Sequence, residues 1–226
     1  MIESCLKEIK DRIRASAGKA GRNPDDIELV LVTKEVEIEQ IKAAYDLGER
    51  HFGENRAQDL EAKKDALPED IRWHFIGHLQ TNKVKKLVGK TALLHSMDRI
   101  ELAREIQKVG QHTEALLQVN ASGEDTKHGF HPDAVERAVT EMMGFDQLKI
   151  LGLMTIGPNT KDEAKIRAAF SLLRNLRDKL KVKFPTIDWR YLSMGMSSDF
   201  ELAIEEGANL LRIGSAVFGE RKQKVQ

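Results

Sequence analysis

Residues 29–37 read Leu29-Val30-Leu31-Val32-Thr33-Lys34-Glu35-Val36-Glu37, an aliphatic run that turns polar before a helical period starts at Ile38. A strand feeding a helix is the unit of α/β folds. An open doubly wound sheet marks its first such turn with phosphate-cradling glycines, and this turn contains none. The same cadence repeats along the chain. Strands are expected at residues 29–34, 50–55, 73–77, 92–96, 115–120, 149–154, 189–194 and 210–214. Helices are expected between them at residues 38–47, 80–88, 99–109, 133–143, 163–180 and 200–206. In the longest, Ile166, Phe170, Leu173 and Leu176 recur at three- and four-residue steps. Ile2, Leu6, Ile9 and Ile13 draw the same stripe along a leading helix. Strict alternation implies parallel strands with right-handed crossovers. Eight such units in 226 residues are the pattern of an α/β (β/α)8 TIM barrel. The expected organisation is one domain over residues 1–226: a helix at 1–20, the barrel at 29–219 and a tail at 220–226.

Composition narrows the function classes. Lys and Arg number 36 against 36 Asp and Glu, without the basic excess of a general nucleic-acid binder. No apolar run approaches the roughly 18 residues of a membrane span, and the N-terminus lacks a signal-peptide core. Cys5 is the single cysteine, which excludes an internal disulfide framework and a Cys-based zinc site. These features describe a cytoplasmic globular protein without nucleic-acid or membrane partners. No added interface element is visible, so a monomer is expected.

Barrel chemistry sits at the C-terminal strand ends. There the sequence offers Lys34, Glu54-Asn55, Gly77-His78, Ser96, Asn120, Met154-Thr155, the loop Ser193-Met194-Gly195-Met196-Ser197-Ser198, and Gly214-Ser215. Val30, Val32 and Lys34 share one strand face by alternation. Desolvation favours the neutral form of an amine, the form that attacks an aldehyde. A lysine snorkelling to solvent is the plainer alternative. Loops after strands seven and eight commonly cradle phosphate in this fold. Here Gly195 and Gly214 allow close backbone approach, and Ser197 and Ser215 supply hydroxyls. Helix capping by Ser198 or Asp199 is the alternative. Arg212 lies mid-strand, two residues before Gly214. A buried guanidinium needs acceptors because it cannot deprotonate, and a carboxylate elsewhere would serve. In a closed barrel strand eight pairs with strand one, so Arg212, Gly214 and Lys34 become neighbours. A Schiff-base amine, a buried donor and a phosphate cradle together describe a site for pyridoxal phosphate. A Schiff-base aldolase acting on a sugar phosphate is a weaker fit. His51, His74, His78 and His95 lack metal-ligand spacing, so no metal site is expected.

The blocks VTKE, HFGEN, WHFIGHLQTNK, HSMD, QVNASGEDTKHGF, LGLMTI, LSMGMSSDFELAIEEGA and RIGSAVFG resemble, in order, those of the pyridoxal-phosphate homeostasis protein family (YggS/PROSC-like). The resemblance runs from about Leu29 to Gly219. It implies a barrel of the alanine-racemase N-terminal type, with pyridoxal 5'-phosphate on Lys34 and Arg212 facing the pyridine nitrogen. It implies phosphate held around Ser197, Gly214 and Ser215, with Asn55 and Met194 lining the ring. Val36, Glu37 and Arg56 stand where the family often has lysine, proline and tyrosine.

Pyridoxal phosphate catalysis works best with a protonated pyridine nitrogen, which an arginine there would disfavour. Racemisation needs a second acid–base group opposite Lys34, and the chain has only Tyr45 and Tyr191. The expectation is a carrier or buffer of the cofactor in vitamin B6 homeostasis, with little or no turnover. Transient contact with apo pyridoxal-phosphate enzymes would follow. The alternative is an amino-acid racemase or other cofactor-dependent enzyme, with a tyrosine or His78 as partner base.

Overall fold

The computed structural model describes residues 1–124 and 127–219; the expected tail, 220–226, lies outside the described residues. Eight parallel strands close into a barrel in strict sequence order. They are β1 (Glu28–Val32), β2 (His51–Glu54), β3 (Arg72–Phe75), β4 (Leu93–Met97), β5 (Thr113–Gln118), β6 (Leu148–Met154), β7 (Tyr191–Ser193) and β8 (Leu210–Ile213). Closure pairs Val30 with Arg212 and Leu31 with Ile213. The (β/α)8 expectation therefore holds, and the doubly wound alternative is excluded by the β1–β8 pairing itself.

The helices are α1 (Ile2–Lys19), α2 (Ile38–Asp46), α3 (Ala57–Ala66), α4 (Val84–Leu87), α5 (Ile100–Val109), α6 (Val135–Met142), α7 (Glu163–Lys183), α8 (Phe200–Glu205) and α9 (Ser215–Phe218). α1 buries Leu6, Ile9 and Ile13 against the core, at roughly 1.5–3 kcal/mol for each side chain. Arg12 on its outer edge stacks 4.8 Å from the Phe200 ring and pairs with Glu201 at 3.0 Å, fastening α1 to α8. α7 starts at Asp162, whose carboxylate accepts from the Ala164 and Lys165 N–H groups, a strong N-cap.

Two departures from the expected elements have physical causes. The helix expected at 80–88 is a 3-10 turn, Thr81–Lys83, followed by a single α-turn, α4. α3 was not among the expected helices, because its inward side carries Lys63 beside Ala57 and Leu60, which breaks the apolar stripe that sequence periodicity detects.

The core forms two layers. Leu31, Phe52, Trp73, Phe75, Leu153 and Leu211 belong to the larger cluster between strands and helices. Val30, Leu93, Leu116, Leu151, Tyr191 and Leu210 form a smaller one inside the barrel. Among the described residues, no helix is long and apolar enough to cross a membrane.

Candidate functional site

The C-terminal strand ends form one mouth. β1 stops at Val32, two residues earlier than expected. The Thr33 carbonyl bends the chain by accepting from Val36 N at 3.0 Å. Lys34 lies in that turn, half-buried, and Glu35 after it has φ +60. A left-handed conformation costs a non-glycine residue about 1–3 kcal/mol, so its surroundings must impose it. They do so through buried charge. The Lys63 ammonium donates to Thr33 O at 2.6 Å and to Glu54 Oε1 at 2.5 Å. The Thr33 hydroxyl lies 2.7 Å from the same Glu54 oxygen. Asn55 N donates to the other oxygen of Glu54 at 3.3 Å. Glu54 thus ties the Lys34 turn to Asn55, whose side-chain Oδ1 is buried and without a partner. Gly77 presses on the same segment: a Cβ there would lie 2.1 Å from Asn55 O.

Arg212 stands next to this segment on β8, 4% exposed. Its Nη1 donates to Ser193 Oγ at 2.6 Å and its Nη2 to Thr155 O at 2.9 Å. Both partners are neutral, and no carboxylate forms an ion pair with it among the described residues. Burial lowers its pKa to about 10, with Asp199 acting in the opposite sense, so it stays charged at neutral pH. The loop after β7 folds over at Gly195, φ +94, where a Cβ would meet the Ala203 Cβ at 2.6 Å. Ser197 Oγ accepts from Gly214 N at 3.4 Å and Ala216 N at 3.3 Å, at the start of α9. Ser215 is exposed beside them. The capping alternative is not what forms: the Asp199 side chain accepts from Met196 N at 2.6 Å and makes no cap bond to α8.

Met194, expected against a bound ring, is 0% exposed and belongs to the outer core cluster. Ser193 beside it faces the lumen, so alternation sends Met194 the other way.

A family model described as "Alanine racemase, N-terminal domain" matches residues 5–222. The pyridoxal phosphate homeostasis protein of Aquifex aeolicus is 43% identical, over 96% of this chain and 97% of that one. The chain belongs to the pyridoxal phosphate homeostasis protein family. A protein of Bifidobacterium adolescentis described as unknown has a solved structure with TM-score 0.91 and 37% identity, covering 96% of this chain and 94% of that one. PipY of Synechococcus elongatus PCC7942, solved with PLP bound, gives TM-score 0.78 and 33% identity, covering 93% of this chain and all of that one.

In this member of the pyridoxal phosphate homeostasis protein family the departing residues Val36, Glu37 and Arg56 follow the C-terminal ends of β1 and β2. Val36 packs against the outer core, and Arg56 is exposed at the start of α3. Both tyrosines sit at the opposite end, the barrel floor. Tyr45 donates to Asp70 at 2.7 Å and Tyr191 to Glu28 at 2.9 Å. Burial and the Glu28 bond raise the Tyr191 pKa, so it remains a phenol at neutral pH.

The histidines divide into two groups that sequence spacing did not separate. His78 meets Asp98 at 2.7 Å, and His128 brings its Nδ1 to 4.0 Å from the same carboxylate. The two rings stack, with centroids 4.1 Å apart and planes 19° apart. The ligand atoms of His78, Asp98 and His128 all lie within 4.8 Å of one another, a grouping that could hold a metal ion and that sequence spacing did not show; Arg99 also pairs with Asp98. His51, His74 and His95 instead bond to one another inside the barrel. The sequence sets Glu54, Thr155 and Ser193 at strand ends without giving them a role, and it gives no sign of Lys63 or Asp98.

Burial holds the His74 pKa down to about 3 and the His95 pKa well below its usual 6.5. Below 6.5 the unfolded chain takes protons that these folded imidazoles refuse, so stability falls as pH drops from 6.5 toward 3. At about 1.4 kcal/mol per unit, acidifying from pH 6.5 to 5 removes roughly 2 kcal/mol for His74, and His95 acts in the same direction. Urea midpoints measured between pH 7.5 and 5 are expected to fall, and His74→Leu is expected to flatten part of the slope. A wild-type profile that stays level would contradict the buried neutral assignment.

Proposed function

We propose that this chain binds pyridoxal 5'-phosphate through Lys34 and carries or buffers it for vitamin B6 homeostasis, with little or no turnover. The observation that carries the reading is Arg212, a buried, permanently charged donor held only by neutral partners, on the strand paired with the one that leads to Lys34. Such a group suits a neutral acceptor such as a pyridine nitrogen. The unpartnered Asn55 Oδ1 fits a polar ligand atom beside it. The Ser197 hydroxyl, Ser215, and the N–H groups of Gly214 and Ala216 fit a phosphate, which backbone donors at a helix start favour. Bound pyridoxal phosphate supplies an aldehyde and a conjugated ring. The Lys34 amine condenses with that aldehyde as a Schiff base, releasing one water.

The carrier reading rests on what faces the mouth. Both tyrosines are committed to carboxylates at the floor, so neither serves as a base opposite Lys34. Arg212 keeps the pyridine nitrogen an acceptor and disfavours the electron sink that turnover needs. We place the activity in the cytoplasm, in a monomeric single-domain chain that passes its cofactor to apo enzymes by transient contact. One observation favours a second reading, an amino-acid racemase: the nearly buried Asp98 orients His78 at 2.7 Å, as a positioned base requires. Exchange of the Cα hydrogen of alanine with solvent deuterium, lost on His78→Gln, would support the racemase and displace the carrier.

Ser197→Ala tests the phosphate end. Losing one hydrogen bond to a charged group costs about 1.5–3 kcal/mol, so pyridoxal phosphate affinity is expected to drop at least about tenfold. Affinity for pyridoxal, which lacks the phosphate, is expected to be unchanged. Equal losses for both ligands would place the phosphate elsewhere.

A further inference from the structure

A continuous hydrogen-bonded file of side chains runs through the barrel from mouth to floor. Arg212 Nη1 donates to Ser193 Oγ at 2.6 Å. Ser193 Oγ lies 2.9 Å from His95 Nδ1, a contact that crosses the lumen from β7 to β4. His95 Nε2 lies 2.9 Å from His74 Nδ1 on β3, and His74 Nε2 lies 3.0 Å from His51 Nδ1 on β2. The file ends at Glu28, whose carboxylate is 3.8 Å from His51 Nδ1 and itself accepts from Tyr191. The inner members are fully or almost fully buried, whereas His51 and Glu28 have side chains 23% and 37% exposed. Arg212 and floor solvent are thus joined by polar groups in the middle of an otherwise aliphatic core.

Hydrogen positions are assigned from the Arg212 end. Arg212 is a donor only, so Ser193 Oγ accepts from it. The Ser193 hydrogen then has His95 Nδ1 as its partner. This makes His95 an Nε2–H tautomer donating to His74 Nδ1, and His74 an Nε2–H tautomer donating to His51 Nδ1. A proton added to His51 reverses every step. The imidazolium donates from Nδ1 to His74 Nε2, with the Glu28 carboxylate 3.8 Å away. His74 then carries its hydrogen on Nδ1 and donates to His95 Nε2. His95 carries its hydrogen on Nδ1 and donates to Ser193, whose oxygen now accepts twice and whose hydrogen turns away. The count balances: one proton is gained, on His51, and the other three groups keep one each.

We propose that His95, His74 and His51 are positioning residues that act through Ser193 on Arg212, coupling the proton load at the barrel floor to hydrogen bonding at the cofactor's ring. The proposal rests on the preceding assignment only in placing the ring at Arg212. His74 and His95 are held neutral by burial, so they do not store the proton but switch tautomer. His51 is half-buried, and its pKa is lowered first by desolvation. The charges facing it are Glu28 on β1, Glu49 ahead of β2 and Arg72 on β3; Arg190 faces Tyr191, and Asp199 faces Arg212. Isolated structural hydrogen bonds would need no such continuity between opposite faces.

The test is nitrogen NMR of the purified protein labelled with 15N-histidine, from pH 8 to pH 5. At pH 8 all three rings are expected as Nε2–H tautomers. As His51 protonates, His74 and His95 are expected to move to Nδ1–H with the same midpoint. In His74→Leu, His51 should titrate alone while His95 stays fixed. In His51→Asn, altered only at the half-exposed end, His74 and His95 should hold one tautomer throughout. Fixed tautomers in the wild type, or a His95 switch that survives either substitution, would overturn the proposal. In protein loaded with pyridoxal phosphate, the visible band should shift with the same midpoint in the wild type and not in His51→Asn. A protein with no visible band would count against the cofactor assignment, and the NMR result alone would then decide the relay.

Discussion

Lys34→Ala is expected to abolish the visible absorption that pyridoxal phosphate gives the wild-type protein, and to abolish the covalent adduct trapped by borohydride reduction. The expectation is all-or-none because an alanine side chain has no amine to condense. The turn at Lys34 is held by Thr33, Glu54 and Lys63, so removing the Lys34 side chain should leave the fold intact. Arg212 and the Ser197 loop also remain, so the variant should still bind the cofactor non-covalently, more weakly. Mass spectrometry after reduction and the absorption spectrum check the result together. A trapped adduct that persists on another lysine would refute Lys34 as the attachment point. A wild-type protein that gains no band on addition of the cofactor would refute the cofactor itself and promote the Schiff-base aldolase.

Lys63→Met is expected to cause the largest loss of stability. Glu54 is fully buried and the Lys63 side chain is 11% exposed. Removing one partner leaves a carboxylate stranded in the wall of the barrel, at a cost of about 3–5 kcal/mol. Replacing both partners with apolar residues, in Lys63→Met with Glu54→Leu, should recover most of that loss, because no charge then remains to be solvated. Thr33 O would still lack its ammonium donor in the double variant, and the turn carrying Glu35 at φ +60 would lose a restraint. The double variant should therefore fold well and yet take up pyridoxal phosphate more slowly than the wild type. Urea unfolding of the three proteins, with stopped-flow absorbance for uptake, measures both effects. A single variant within about 1 kcal/mol of the wild type would show that Glu54 finds other compensation.

Much of the barrel was legible because its signals are local. A strand reads as a run of aliphatic and β-branched residues, and α1, α5 and α7 read as stripes at helical spacing. Each of the eight expected strands overlaps an observed one. α3 was not legible because Lys63 occupies an inward position that the rule assigns to an apolar residue, and only Glu54 and Thr33 O, distant in sequence, make it tolerable there. The facing of Met194 was not legible for a related reason: the sequence shows that it ends a strand, whereas its facing is fixed by Ser193, which turns to Arg212 and His95.

The sequence by itself determined the strand–helix order, the closed barrel it implies, the polar residues after the strand ends, including Lys34, Asn55 and Ser197, and Arg212 within the last strand. These follow from periodicity and from turn chemistry, which act over a few residues. The tertiary structure alone decided which buried polar groups meet. His51, His74, His95, Ser193 and Arg212 come from five strands and span 162 positions of sequence, yet they form one file because barrel closure brings opposite walls within hydrogen-bond reach. A buried donor or acceptor must find its partner wherever the fold supplies one, and that partner's position is a property of closure that no local pattern records.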